Sequence, residues 1–505
     1  MILACIYLLI ILWLIYFNGF FGLFKDSVLS RKKFTLFFFI KALAIPTFYL
    51  AYLKFYGGIA DLDTGKFHHD ALVLSGIAKT DLALYVKTLL GFQSDDRNSY
   101  DYYMLYSTQN WDNGTMKDFL YNDNRIVIRV HSLLNFIAFN SYFVHALLNC
   151  FLSFTGIYFI YRSLNSYFVG KETLFMSCFC FFPALWFHTG ALLKEGIVLF
   201  VLGSTLLLLK QLANAKLSPI KVPVLLFLLF ICFLLKAYLL LFAVFCFGFF
   251  FLLERRTSKK YNPIIFLGAI VLCVALLNII SICYKQRSLF DAALKQERIF
   301  TGVAKGGIFL YGPDRFIRLE YDTSLVKRSL EKTNRYSIRA NARYIYWKDE
   351  KSLDTLRCDA NLDTTSTYAL AYMIKPSQSN LDRSDSKNTL TLFGTALLNT
   401  LTYPLFKTNK TAIQWLASFE NLLIVSSLFI CFIGLLFVRK SNLPVVVFLV
   451  FALGVCLLVG ITSPNGGAIF RYRSPLIPFI LLAGVYYLPD AMVLRKKNHP
   501  YNRSR

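Results

Sequence analysis

Long apolar stretches alternate with short polar ones along most of the chain. A transmembrane helix needs about 20 largely apolar residues, and eleven runs approach or reach that length. These runs cover residues 2–24, 35–56, 139–161, 173–190, 194–213, 221–235, 237–253, 262–284, 419–438, 442–461 and 475–489. The pattern predicts an all-α polytopic membrane protein with about eleven transmembrane helices and two large polar loops.

The spans and loops divide the chain into consecutive segments. They are the first two spans (1–57), a first large loop with an acidic and histidine cluster and an amphipathic helix (58–138), spans 3–8 (139–284), a second large loop (285–418), spans 9–11 (419–489) and a basic tail (490–505). The amphipathic helix is predicted from the alternation of polar and apolar residues between Arg125 and Phe136, and we expect it to lie on the outer membrane surface.

Lysines and arginines are concentrated after the odd-numbered spans. They lie in the short loops after spans 1, 3, 5, 7 and 9 and in the tail after span 11. These residues are Lys25, Arg31, Lys32, Lys33, Arg162, Lys171, Lys210, Lys216, Lys221, Arg255, Arg256, Lys259, Lys260, Arg439, Lys440, Arg495, Lys496 and Lys497. If eleven spans alternate, all of them fall on one side, and short loops rich in Lys and Arg are cytoplasmic. We therefore expect a multi-pass protein of the cytoplasmic (inner) membrane, with its N-terminus and both large loops outside.

Composition supports lipid as the solvent of the chain. Of its 505 residues, 56% are hydrophobic and 16% are charged, against roughly 25% charged residues in soluble domains. The net charge of +25 would ordinarily suggest nucleic acid. Here the cations cluster in short loops and the tail, where they set topology, so we expect membrane lipids and no nucleic acid as partners.

The densest group of chemistry-capable residues begins just outside span 2. It contains Asp61, Asp63, His68, His69 and Asp70 within ten positions. Carboxylates and imidazoles at the mouth of a span suit general acid–base chemistry or the binding of a divalent metal ion. A solvated acidic loop is the alternative, and no metal or other cofactor is certain.

A second group lies between spans 4 and 5. His188 and Glu195 are seven residues apart, so a continuous helix would stack them on one face, and Lys194 adds a cation. Ionisable groups at a membrane boundary are costly unless they are paired or line a cavity. Lys236, between spans 6 and 7, is a lone cation in a long apolar stretch. For the group between spans 4 and 5, the alternative is a structural pair of Lys194 and Glu195. For Lys236, the alternative is a side chain that extends to the membrane interface.

The third group precedes the last span, where Arg471 and Arg473 lie outside the membrane against the usual preference of arginines for the cytoplasmic side. An extended backbone before Ser474-Pro475 would direct both side chains to one side. They would then form a two-pronged clamp for a phosphate, which guanidinium groups bind in a bidentate manner. A structural role in the loop is the alternative.

These features together resemble the GT-C superfamily of membrane glycosyltransferases, and more narrowly its uncharacterised bacterial envelope members. The resemblance lies in the carboxylate-bearing first loop, the charged turn between spans 4 and 5, the Arg471-Tyr-Arg-x-Pro-x-x-Pro-Phe479 sequence and the stretch from Pro404 to Asn421. It covers most of the chain in layout but few residues in motif. In the family the first catalytic loop typically follows span 1, whereas here it follows span 2.

The resemblance implies transfer of a sugar from a polyprenyl-phosphate carrier to a glycan or lipid acceptor on the outer face of the membrane. Asp63 or Asp61 would be the general base, with His68, His69, Asp70, His188 and Glu195 in support. Arg471, Arg473, Lys236 and Lys194 would neutralise the departing lipid phosphate. An envelope polysaccharide polymerase or ligase is the close alternative, and a lipid or solute transporter is the alternative of another class.

Overall fold

The structure is a computed structural model. It describes residues 1–18, 22–24, 29–60, 62–91, 107–111, 123–214, 218–255, 261–285, 288–289, 291, 306–311, 316–319, 322, 324, 326–328, 335–338, 344–347, 355–358, 367–374, 389–407, 410, 412–438, 442–463 and 465–489. Asp61 and the tail from residue 490 lie outside the described residues.

Helices form most of the described chain. Before the second large loop they are α1 (Ile2–Trp13), α2 (Arg31–Ala42), α3 (Ala44–Tyr56), α4 (Asp63–Ile77), α5 (Leu82–Leu90), α6 (Asp123–Ala138), α7 (Tyr142–Leu164), α8 (Glu172–Cys180), α9 (Pro183–His188), α10 (Lys194–Ala213), α11 (Lys221–Ala243), α12 (Phe249–Leu253) and α13 (Asn262–Lys285). After it come α14 (Thr389–Thr402), α15 (Ala412–Phe437), α16 (Leu443–Thr462), α17 (Gly466–Arg473) and α18 (Ile477–Tyr487).

The second large loop contains a seven-stranded antiparallel sheet, which the sequence pattern did not predict. Its strands are β1 (Gly307–Tyr311), β2 (Phe316–Leu319), β3 (Val326–Arg328), β4 (Arg335–Ile338), β5 (Tyr344–Trp347), β6 (Thr355–Cys358) and β7 (Thr367–Ile374), in the order β3-β4-β7-β1-β2-β5-β6. Ile308, Leu310, Ile317 and Leu319 alternate along β1 and β2 and are buried. This period of two is that of a sheet with one packed face.

Six described helices are long and apolar enough to cross a membrane, or seven if a bent pair counts as one span. They are Arg31–Phe55, Tyr142–Tyr167, Lys194–Ala213, Asn262–Cys283, Gln414–Phe437 and Leu443–Thr462, and the bent pair is α17 with α18 at 55°. They coincide with predicted spans 2, 3, 5, 8, 9, 10 and 11. Within the described ranges the predicted helical membrane protein is therefore confirmed, and the number eleven is not.

The remaining predicted spans are shorter or broken. Span 1 corresponds to an apolar helix of Ile2–Phe17. Span 4 divides into α8 and α9, because Pro183 cannot continue the ladder of α8 and instead begins a new helix. Spans 6 and 7 correspond to α11, a π-helical turn at Val244–Gly248 and α12. The predicted interruption at Lys236 is present, since its backbone is non-helical (φ −154°, ψ 81°).

Two glycines allow a close helix crossing in the core, between α7 and α10. A side chain at Gly203 would overlap the carbonyl oxygen of Gly156, and one at Gly156 would overlap the backbone at Leu199. Small residues let membrane helices approach closely and gain van der Waals contact. This crossing fixes the position of the N-terminus of α10, where Lys194 and Glu195 lie.

Four polar contacts near the ends of predicted spans agree with the two predicted sides. The Tyr7 hydroxyl donates to the carbonyl of Ile137, and Arg471 contacts Asp63, all in segments predicted outside. Lys171 donates to the carbonyl of Tyr486, and Lys210 to that of Ser163, in segments predicted inside. Each of these contacts joins segments that the alternation of spans assigns to one side.

We predict that Gly203→Ala destabilises the protein by about 1–3 kcal/mol, the usual cost of overpacking a well-packed core. The thermal unfolding midpoint of the detergent-solubilised protein should fall accordingly. Gly268→Ala is the matched control, because a methyl group at Gly268 of α13 meets no atom within 4 Å. Equal midpoints for the two variants would contradict the close crossing.

Candidate functional site

Arg471 joins two carboxylates that are far apart in the chain. Its Nη1 donates to Oδ2 of Asp63 over 2.8 Å, and its Nε donates to Oε1 of Glu195 over 3.1 Å. The side chain of Glu195 is completely buried, whereas that of Asp63 is 54% exposed. Three helices thus bring a buried ion pair and an accessible carboxylate to one place.

Lys194 adds a second ion pair beside the first. Its Nζ lies 2.5 Å from Oδ2 of Asp123, the first residue of α6. It also lies 5.9 Å from the ring centroid of Phe67, which is buried on α4. Asp63 and Phe67 are four residues apart, so they share one face of α4. The first two turns of α4 therefore present the acid and an apolar support for the cation on one face.

Lys236 supplies a third cation from the break in α11. Its Nζ lies 4.8 Å from the ring centroid of Tyr472, a cation–π distance. Electrostatic interactions link it to Glu195 and His188. The side chain is 8% exposed, and a buried cation in an apolar stretch is a functional candidate by physical argument.

The segment between α9 and α10 is held by side chains from three other helices. The Thr64 hydroxyl accepts from the Leu192 N–H and bonds the hydroxyl of Tyr142. Asn149 Nδ2 donates to the carbonyls of Ala191 and Leu193. Lys41, fully buried in α2, donates to the hydroxyl of Thr189. The bonds from Thr64 and Asn149 satisfy backbone groups that no helix pairs, and the bond from Lys41 holds the Thr189 side chain. Together they fix where Lys194 and Glu195 project.

The loop before Asp63 makes a close turn over α4. Gly57 and Gly58 have φ of 75° and 146°, which side-chain-bearing residues rarely adopt. A methyl group at Gly65 would overlap the carbonyl oxygen of Ile59. Glycines at these three positions therefore let the chain return and start α4 at Asp63. Asp61, the other predicted base, lies outside the described residues.

Asp70 and His69 make a structural contact rather than an open acid–base pair. Asp70 is fully buried, and its carboxylate accepts from the N–H groups of Gln109 (2.9 Å) and Asn110 (2.6 Å) and contacts His69 Nδ1 at 3.1 Å. Burial raises the pKa of Asp70, and these hydrogen bonds oppose the shift. Asp70 thus anchors residues 107–111 on α4.

The predicted divalent metal ion finds no donor set in the described ranges. No group of three or more His, Cys, Asp or Glu side chains there could hold a metal ion. His68 instead lies against the rings of Tyr142 and His145. Burial lowers the pKa of His68, which favours a neutral imidazole.

His188 and Glu195 are not on one continuous helix, because α9 ends at His188 and α10 begins at Lys194. The prediction of a stacked pair on one helix is wrong for that reason. His188 nevertheless interacts electrostatically with Glu195 and Arg471, and its Nδ1 contacts the carbonyl of Ala184 at 2.7 Å. The turn between α9 and α10, rather than helical periodicity, brings them together.

Arg471 and Arg473 do not form a two-pronged clamp. Both lie on the helix α17, where residues two apart point to different sides, so the predicted extended backbone is wrong. Arg473 is fully buried; it donates to the carbonyl of Thr400 and, over 2.6 Å, to Oδ1 of Asn421. It connects α17 to α14 and α15, away from the partners of Arg471.

Several residues of the site carried no assigned role in the sequence. Asp123 was one acid among many in the first loop, although its place at the start of a predicted amphipathic helix was a usable signal. Lys41 is a lysine inside an apolar run, which is itself unusual in a membrane helix. Thr64 and Asn149 gave no sequence signal, and Tyr472 was noted only as part of the Arg-Tyr-Arg sequence, since their roles depend on contacts between distant segments.

The cluster contains three carboxylates (Asp63, Asp123 and Glu195) and three cations (Lys194, Lys236 and Arg471), and its formal charge is balanced. Arg471 binds two of these carboxylates, and Asp63 is more exposed than Glu195. An accessible carboxylate can accept a proton, and the surrounding cations can stabilise an anion that enters or forms there.

No protein-family model matches the chain, and no curated protein or solved structure is significantly similar to it. The chemistry of the site is therefore argued from its own residues.

We predict that Thr64→Val destabilises the protein, because the Leu192 N–H loses its partner, and an unsatisfied buried donor costs about 1–3 kcal/mol. Tyr142→Phe should cost less, since Thr64 would still accept from Leu192. Thr47→Val is the control, because the exposed Thr47 hydroxyl bonds its own helix at Leu43. Thermal midpoints in detergent measure all three. A Thr64→Val midpoint no lower than that of Thr47→Val would show that the segment is held otherwise.

Proposed function

We propose that this protein is a membrane glycosyltransferase. It moves a sugar from a polyprenyl-phosphate-linked donor to a glycan or lipid acceptor on the outer face of the cytoplasmic membrane. One observation carries the proposal: the half-exposed carboxylate of Asp63 lies 2.8 Å from Arg471, beside two lysines, at the end of the helical bundle predicted outside. A base and a set of cations are the two components that this transfer needs.

Asp63 is the general base in this proposal. The acceptor hydroxyl attacks the anomeric carbon of the donor sugar, and its proton passes to Asp63. The bond between the anomeric carbon and the phosphate oxygen breaks, and the carrier leaves as its phosphate. A positioned base contributes typically 10²–10⁴-fold to such a step.

Arg471, Lys236 and Lys194 stabilise the departing phosphate. Each already has a partner in the structure: carboxylates for Arg471 and Lys194, and the Tyr472 ring for Lys236. An incoming phosphate would compete with Asp63 for the guanidinium of Arg471, whose planar fork matches phosphate oxygens. Arg473 acts at a distance in this scheme, by holding α17 against α14 and α15.

An envelope polysaccharide polymerase or ligase would use the same groups, because it also cleaves a lipid-linked donor. A lipid or solute transporter is a second candidate, favoured by the broken helices. Transporter sites are often built from discontinuous helices, and here the break at Lys236 faces Tyr472, which lies on the first half of the bent α17–α18 pair.

We predict that Asp63→Asn lowers transfer by about 10²–10⁴-fold at unchanged protein level, since an amide cannot accept the proton. Mass spectrometry of envelope glycans and lipid-linked saccharides, in cells whose sole copy is the variant, measures the product. Asp81→Asn is the control, because Asn replaces Asp equally well at the N-cap of α5. Wild-type product levels in Asp63→Asn would remove Asp63 as the base.

We predict that geranylgeranyl monophosphate raises the thermal midpoint of the purified protein more than geranylgeraniol does, and that Arg471→Lys reduces this difference. Lysine lacks the planar fork that binds two phosphate oxygens. Arg31→Lys, at the opposite end of the bundle, should behave as wild type. If geranylgeranyl monophosphate still raises the midpoint of Arg471→Lys above that with geranylgeraniol by as much as in wild type, the assignment of Arg471 to phosphate binding is refuted.

The transporter reading makes a different prediction for cells that lack the protein. A transferase defect removes the glycosylated product while its lipid-linked donor remains available outside. Loss of a transporter instead leaves a lipid-linked intermediate on the cytoplasmic face, which added glycosidases reach only in inverted vesicles.

A further inference from the structure

Three histidine side chains from three helices meet beside the site. They are His68 on α4, His131 on α6 and His145 on α7. The ring centroids of His68 and His145 lie 5.2 Å apart, and those of His131 and His145 lie 5.4 Å apart. Nδ1 of His131 lies 3.3 Å from Nδ1 of His145. His131 and His145 are fully buried.

The surrounding hydrogen bonds determine where the protons are. The backbone N–H of Asn140 can only donate, and it lies 3.0 Å from Oδ1 of Asn135, so that atom is an acceptor. Nε2 of His145, 3.1 Å from the same Oδ1, must therefore carry a proton. In a neutral ring the Nδ1 of His145 is then bare and accepts from Nδ1–H of His131. A neutral His131 consequently has a bare Nε2.

The bare Nε2 of His131 is buried and has no hydrogen-bond partner among the described residues, and the same holds for Nε2 of His68. A proton is the ligand that such a nitrogen takes without rearranging the Nδ1 bond. Burial, and then His145 and His68, hold the pKa of His131 well below its ordinary 6.5. The folded protein thus favours the neutral ring.

The charged and titratable groups of the packed helices have other partners. On α4, Asp70 is bound by His69, Gln109 and Asn110. On α5, Tyr85 bonds Ser132. On α6, Asp123 pairs with Lys194, and Arg125 and Arg129 lie over the Trp111 ring. On α7, Tyr142 bonds Thr64. On α10, Glu195 is bound by Arg471. On α11, Lys236 lies over the Tyr472 ring, and Tyr238 interacts electrostatically with Glu195 and Asp123. A proton on His131 would therefore create a buried positive charge, and the carboxylates of these helices are already bound by other groups.

We propose that the His68–His131–His145 cluster is a proton-binding site whose occupation loosens the packing of α6 against α4 and α7. The inference is independent of the proposed function. Its consequence reaches the site, because α4 begins with Asp63 and α6 begins with Asp123. Acidification would separate the two acids that face Arg471 and Lys194.

The sign of the pH dependence follows from proton linkage. The unfolded chain binds a proton at His131 near pH 6.5, and the folded chain does so at lower pH. The stability from the neutral ring is therefore complete above that value and is lost as pH falls. For one proton, each further pH unit lowers the folding equilibrium constant by up to about tenfold.

The test is the thermal midpoint of the full chain in detergent between pH 8 and pH 5. The wild-type midpoint should be nearly constant above pH 7 and should fall below pH 6. His131→Asn keeps a donor to His145 but cannot titrate, so its midpoint should fall less. His69→Asn, at a half-exposed histidine of α4, should fall as wild type does. Equal falls in wild type and His131→Asn would overturn the proposal.

Hydrogen exchange on the wild-type protein keeps the proposal testable if His131→Asn does not fold. Labelling times are scaled for the intrinsic pH dependence of exchange, and residues 123–138 are compared with residues 194–213 at pH 7.5 and pH 5.5. Exchange in residues 123–138 should rise at least severalfold relative to residues 194–213. An unchanged ratio would overturn the proposal.

Discussion

The contact of Arg471 with Glu195 is the interaction on which the rest of the site depends. A fully buried carboxylate is tolerated when a cation and hydrogen bonds compensate its lost hydration, and removing one partner of such a pair is far more costly than never having it. Arg471 meets this requirement with its Nε and uses Nη1 to hold Asp63. The positions of α4, α10 and α17 are therefore coupled through one guanidinium.

The irregular backbone around this guanidinium is itself costly in a membrane. Unpaired peptide groups at membrane depth persist when they are buried in protein and hydrogen-bonded there. Thr64 and Asn149 provide such bonds for the segment between α9 and α10, and Lys41 binds the Thr189 hydroxyl in the same segment. The break at Lys236 and the bend between α17 and α18 lie at the same end of the bundle. This end is built from backbone that regular helices do not satisfy, which is typical of a region under functional rather than packing constraint.

The sequence predicted what depends on local pattern and missed what depends on distant contacts. Long apolar runs indicated the helices that reach spanning length, and charged residues between them indicated Asp63, Lys194, Glu195, Lys236 and Arg471. The direction of Arg473 was mispredicted because the preference of a pre-proline residue for extended backbone is overridden here: Ser474, directly before Pro475, is right-handed helical (φ −54°, ψ −37°) and caps α17. The strands of the second loop are three to eight residues long, too short for a clear alternation. The meeting of His131 with His145 depends on the turn between α6 and α7, which no periodicity reveals.

The Arg471–Glu195 pair also has a consequence for how the protein is made. The two residues are 276 positions apart, so the ribosome has released Glu195 long before it reaches its partner. At 5–20 residues per second, the interval is roughly 15–55 s. During that time the N-terminal helices hold a carboxylate without its cation, and a chain that stops early never loses this defect. A buried carboxylate without its cation is strongly destabilising, so the packing of α10 against its neighbours is complete only when α17 arrives.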